Sequence, residues 1–236
     1  MNARGFCGGI LVLCGLALSG CHSGRPSPGA EALRPDQIKD FSHLFAQNCS
    51  GCHGADGTHG AAMPLANPEY QAIVDEGTMT AAIASGVDGT LMPSFAQSSG
   101  GPLTDDQIGV LVDGMRSRWY KADALKGLDV PPYNTSKQGD AAHGQQAFSA
   151  HCASCHTTGV QQKNGKSSVT DGSYLALIGD QSLRAIIIAG RPDLGHPDWR
   201  GGPGGSPLSD QDVTDVVAWI ASQRQATPGQ PYPSQP

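Results

Sequence analysis

Cys49-Ser50-Gly51-Cys52-His53 and Cys152-Ala153-Ser154-Cys155-His156, with first cysteines 103 positions apart, decide how this 236-residue chain is read. The seven cysteines are 7, 14, 21, 49, 52, 152 and 155. The first three fall in an amino-terminal segment, and the other four form two C-x-x-C-H motifs, so no thiol is left for a separate disulfide. From the chain's own Cys and His frequencies, about 0.007 such motifs are expected by chance. A structural zinc site would bring two cysteine pairs close together in sequence. A thioredoxin-like redox site would show one pair near a βαβ pattern. Neither arrangement is present.

C-x-x-C-H is the attachment signature of c-type haem. Two thiols three positions apart on one helical turn reach the vinyl groups along one edge of a porphyrin. The adjoining His places an imidazole under the iron. Cys49, Cys52, Cys152 and Cys155 are therefore the expected thioether residues of two haem c groups, with His53 and His156 as proximal ligands.

The motifs lie in two copies of one pattern. Phe45 and Phe148 each stand four residues before the first Cys, and Tyr70 and Tyr174 follow it by 21 and 22 residues. An apolar helical stretch ending in Gly comes next, at residues 79–86 and 183–190. Six residues beyond that Gly stands Met92 in one copy and His196 in the other, each followed by Pro and then an aromatic residue (Phe95, Trp199). Thr104 with Gln107, and Ser209 with Asp212, form capping-box patterns. Behind them Ile108, Leu111, Val112 and Met115, and Val213, Val216, Val217 and Ile220, repeat with the helical period.

This pattern resembles the class I cytochrome c family in a tandem two-haem arrangement, over residues 37–118 and 140–224. The resemblance implies an all-α fold, with two domains of a few helices each wrapped around one covalently bound haem. It places the distal ligand of the first domain on Met92, although most Met residues are core filler. Met63, ten residues beyond His53, is expected to be a core or haem-edge residue. The second domain departs from the family, because all five Met residues (1, 63, 79, 92 and 115) lie in the first half. Its matching position is His196, which implies bis-His ligation through His156 and His196. The alternative is a solvent-facing loop His over a five-coordinate or water-bound iron. Thioether sulfur favours Fe(II) and imidazole Fe(III), so the first haem is expected at the higher potential. Arg191 is read either as a propionate partner or as a solvent-facing residue, and His59 as a loop residue or propionate neighbour.

Residues 1–20 read as a signal peptide, with Arg4 before an apolar run. Leu18-Ser19-Gly20-Cys21 resembles a bacterial lipobox, with Cys21 as the lipidated residue. The expected location is the extracytoplasmic face of a bacterial envelope, anchored by lipid. Residues 21–36 read as a flexible tether, 119–139 as an interdomain linker and 225–236 as a Pro-rich tail. A net charge of −6 argues against nucleic acid as a partner. Thirteen Phe, Tyr and Trp residues are few for two apolar cores of this size. A porphyrin in each would make up the missing apolar volume. The leading functional expectation is single-electron transfer between redox partners, from haem 2 to haem 1, without enzymatic chemistry. A haem enzyme acting at haem 2 (a peroxidase or small-molecule dehydrogenase), or a fixed electron-transfer subunit of a larger respiratory complex, are the alternatives.

Overall fold

Asp40 and Asp140 start the two halves alike. The Asp40 carboxylate accepts from the His43 N–H at 2.7 Å and caps α1 (Phe41–Asn48). The Asp140 carboxylate accepts from the Ala142 and His143 N–H groups and caps α6 (Ala141–His151). Such caps satisfy amides that have no partner inside the helix. A computed structural model describes residues 33–157, 167–201 and 205–225. The described residues from Asp36 onward belong to one compact unit. The expected signal segment, Cys21, most of the tether and nearly all of the Pro-rich tail lie outside the described residues.

In the first half, α2 (Ser50–His53) carries the first motif. It is followed by α3 (Pro68–Ile73), α4 (Glu76–Ser85) and the closing helix α5 (Asp105–Trp119). In the second half, α6 leads into a hydrogen-bonded turn over the second motif. Then come α7 (Gly172–Leu175), α8 (Asp180–Ala189) and the closing helix α9 (Asp210–Ser222). The architecture is all-α. The strands described are two-residue pieces, β1 (His156–Thr157) paired in parallel with β2 (Ser167–Ser168). Both expected capping boxes form, with Thr104 and Gln107 bonding reciprocally at 3.0 and 3.2 Å, and Ser209 and Asp212 at 3.0 and 3.1 Å.

Each closing helix crosses the helix that precedes its half's motif, and the crossings are built from the same parts in opposite order. In the first, Phe41 on α1 lies over Gly114 on α5, where an added Cβ would come within 2.0 Å of the phenyl ring. In the second, Gly144 on α6 lies under α9, where a Cβ would sit 1.9 Å from the Asp215 carbonyl oxygen and 3.0 Å from the Trp219 Cβ. Phe41 and Gly144 are equivalent positions of the repeat, and so are Gly114 and Trp219. The aromatic ring has changed helices. Around these crossings Phe45 meets Trp119 edge-on at 5.4 Å, and Phe148 meets Trp219 at 4.5 Å. Ile108, Leu111, Val112 and Met115, and Val213, Val216, Val217 and Ile220, are buried as their periodicity requires. Each such side chain contributes about 1.5–3 kcal/mol by leaving water.

The segment read as a linker is bound along its length. Arg184, 3% exposed, donates to the carbonyls of Pro132 and Tyr133 and to the Thr214 hydroxyl, and pairs with Asp210. The Gln181 amide donates to Tyr133 O at 2.8 Å, while the Tyr133 side chain packs on the core of the first half. Leu125 and Val130 pack on Ile188, Trp199, Leu208 and Val213 of the second half. The linker is thus a seam shared by both cores.

Candidate haem sites

Each site is assembled from a motif turn and a distant loop. In the first motif the backbone N–H of His53 donates to Cys49 O at 3.0 Å, closing one helical turn with Cys49 at its start. In the second, His156 N–H donates to Cys152 O at 2.9 Å, closing the equivalent turn. The thiols are split in the same way in both: Cys49 and Cys152 are half-buried, and Cys52 and Cys155 are exposed. Burial, then the neighbouring cysteine, pushes the thiols of Cys49 and Cys152 up to about 11. An uncharged thioether sulfur suits such positions, whereas a thiolate does not.

The His53 ring donates through Nδ1 to the Met63 carbonyl at 2.7 Å. Metal-binding histidines commonly hold their second nitrogen in this way, which fixes the tautomer and turns the free nitrogen outward. Met63 therefore contributes its carbonyl, a role that its side-chain chemistry does not signal. Burial is the main cause that holds His53 below the usual imidazole range and keeps it neutral, the form that binds metals.

The distal residues are positioned by one device used twice. Helix α4 ends at Gly86 and α8 at Gly190, with φ of 76° and 72°. A side chain at either glycine would press on the returning loop, 2.7 Å from Met92 O in one case and 2.9 Å from His196 O in the other. The next residue then pairs across the loop: Val87 N–H donates to Met92 O at 3.1 Å, and Arg191 N–H to His196 O at 3.0 Å. Met92 and His196 thus occupy the same structural position. Met92 packs on the first core. The His196 ring faces the His156 ring with centroids 5.7 Å apart and planes inclined at 46°. Burial, then the neighbouring His156, holds His196 below the usual imidazole range. Its buried Nδ1 has no hydrogen-bond partner among the described residues. Two facing imidazoles, one with an unpaired buried nitrogen, fit a metal-centred cofactor between them.

Arg191 is 7% exposed, so the solvent-facing reading does not hold. It pairs with Asp193 at 2.7 Å and donates to Gly60 O at 2.8 Å. His59 takes a left-handed backbone conformation (φ 60°), and its N–H donates to Asp193 at 3.1 Å.

Two attachment turns, one in each all-α half, fit a pair of c-type haem domains. Residues 36–113 match the family described as "Cytochrome C oxidase, cbb3-type, subunit III", and residues 141–224 match the family "Cytochrome c". Together the two matches support a di-haem c-type cytochrome with two covalently bound haem c groups. It is 29% identical over 168 residues to the Cbb3-type cytochrome c oxidase subunit FixP of Bradyrhizobium diazoefficiens. That match covers 67% of this chain and 53% of the relative, so the chain spans about half the length of the relative it matches. Among solved structures it resembles the KustC0563 c-type cytochrome, at 27% identity and a TM-score of 0.30 over 35% of this chain and 99% of that one. It also resembles the Kuenenia stuttgartiensis reducing HAO-like protein complex Kustc0457/Kustc0458, at 13% identity and a TM-score of 0.44 over 82% and 99%. No helix among the described residues is long and apolar enough to cross a membrane.

Proposed function

We propose that the chain relays single electrons between redox proteins of the cell envelope, entering at the second domain and leaving from the first. The bound haems supply the chemistry, a one-electron Fe(III)/Fe(II) change at each iron. The protein sets the order of the two sites. His53 and Met92 would hold the iron of the first domain, and His156 and His196 that of the second. The 5.7 Å approach of the His156 and His196 rings carries this reading. An imidazole in place of a thioether stabilises Fe(III), so the second site lies at the lower potential. Irons held on both sides by these side chains would offer no coordination place to a substrate, which favours a carrier over an enzyme.

Cys21 is the lipid anchor in this reading, on the strength of Leu18-Ser19-Gly20-Cys21. The likeness to a cbb3-type oxidase subunit favours a respiratory complex as the setting. Electron paramagnetic resonance of the oxidised full chain, with a potentiometric titration, tests the ligand assignment. The expected result is two low-spin ferric signals, with the bis-His signal reduced last. A high-spin ferric signal from the second domain would overturn it and favour an enzyme. Cys21→Ser is expected to move the protein from the membrane fraction to the soluble fraction.

A further inference from the structure

The two haem sites meet at a buried polar seam. Asn67, 2% exposed, caps α3 with its side-chain oxygen, and its amide donates to Ala189 O at 2.9 Å and Gly190 O at 3.3 Å. Beside it stands Arg191, which touches both sites through different parts of itself. Its main chain makes two hydrogen bonds with His196, N–H to O at 3.0 Å and O to N–H at 2.9 Å. Its guanidinium holds Gly60 O. Gly60 lies on the first attachment turn so closely that a Cβ there would be 2.2 Å from Cys52 O and 2.5 Å from the His53 carbonyl carbon. Two residues on, the Ala62 N–H donates to Cys52 O at 2.9 Å. One residue therefore fixes the distal loop of the second site and braces the proximal turn of the first.

We propose that Arg191 is a positioning residue common to both haem sites, and that its buried ion pair with Asp193 sets the two potentials together. The side chains of Arg191 and Asp193 are 8% and 3% exposed. Solvent and salt screen buried charges weakly. The Arg191 charge also acts on both His53 and His196. While the pair is intact the Asp193 carboxylate offsets only part of the Arg191 charge. Removing the guanidinium leaves a buried carboxylate, which favours Fe(III) at both sites. Removing the carboxylate leaves a guanidinium that stays charged at all working pH values, and it favours Fe(II) at both. The inference rests on His53 and His196 being iron ligands, and the wild-type resonance spectrum tests that separately.

The test is a potentiometric titration of each haem in the full di-haem chain, well above the carboxylate range of pH. Arg191→Gln is expected to lower both midpoint potentials and Asp193→Asn to raise both, with Arg191→Lys nearer wild type than Arg191→Gln. A role confined to holding the seam would move both variants in the same direction. That outcome, or a response at one haem alone, would overturn the proposal. Asp193→Asn keeps every Arg191 contact to Gly60 and His196 available, so it decides the matter even if Arg191→Gln does not fold. If the wild-type spectrum lacks the two expected ligand sets, the ligand assignment fails whatever the variants do.

Discussion

Gly144→Ala sets two well-measured effects against each other at the crossing of α6 and α9. Gly144 lies inside a helix, where replacing Gly by Ala stabilises by about 0.8–1 kcal/mol. The new methyl group would sit 1.9 Å from Asp215 O and 2.4 Å from Asp215 C, against about 3.4 Å for ordinary contact. Both obstacles are backbone atoms, so relief requires the helices to separate by about 1.5 Å, the difference between those distances. That separation would loosen the Phe148–Trp219 contact at 4.5 Å. Overpacking of this kind costs about 1–3 kcal/mol, and a rigid obstacle places it at the upper end. The net expectation is a loss of about 2 kcal/mol after the propensity gain is subtracted. Gly109→Ala is the matched control, because a Cβ at that position of α5 meets nothing within 4 Å. It should stabilise by about 0.8–1 kcal/mol. Guanidinium denaturation of the haem-loaded chain, followed by far-ultraviolet circular dichroism, measures both. A Gly144→Ala protein as stable as wild type would refute the packing argument.

Three further outcomes follow from the geometry. His196→Met should raise the potential of the second haem and leave the first nearly unchanged, as read by redox titration. Arg184→Leu strips Pro132 O of its donor, leaves Tyr133 O with Gln181 alone and leaves Asp210 with Lys137 at 2.8 Å. Breaking a buried pair costs about 3–5 kcal/mol, and the remaining lysine places this case near 3, seen in denaturation and in faster proteolysis within residues 120–139. His143 donates to the buried Asp215 carboxylate at 2.6 Å. This hydrogen bond is the main cause that raises the imidazole, with Asp212 and Asp140 adding to it. A raised imidazole contributes fully below its unfolded value, near 6.5, and its contribution is lost as pH rises through the folded value. Burial alone would raise Asp215, but hydrogen bonds from Asp140 N–H, His143 and Gln211 outweigh it and hold the carboxyl low. Its contribution is therefore present above the usual carboxylate range and lost in acid. Wild-type melting temperature should fall as pH rises above about 6.5, and His143→Gln should flatten that arm.

Much of the site could be read from the chain because its chemistry is local or repeated. The motif spacing identifies the attachment residues, and the repeat places His196 opposite Met92 without reference to any contact. The capping boxes mark the starts of α5 and α9, and the periodic apolar residues mark their inner faces. What escaped notice depends on pairs far apart in sequence. Arg191 and Gly60 are 131 positions apart and Asn67 and Ala189 are 122 apart, with no local pattern linking them. Arg191 beside a Gly reads equally well as a solvated residue. Residues 119–139, rich in turn formers, read as an interdomain linker, while the side chains that bind their carbonyls lie far along the sequence on α8 and α9. The Met63 carbonyl is invisible for a simpler reason: any residue at that position could supply it.

The exchanged aromatic ring bears on how a tandem repeat finds its own halves. Repeated domains in one chain commonly misassemble by borrowing an element from a neighbouring copy. Here the cognate crossings each combine one ring with one glycine, Phe41 with Gly114 and Trp219 with Gly144. Pairing α1 with α9 would bring Phe41 against Trp219, two rings in the space of one, and pairing α6 with α5 would set Gly144 against Gly114 and leave a hole. The exchange therefore acts as an internal address, matching each opening helix to its own closing helix in a chain that holds two corresponding sets of parts.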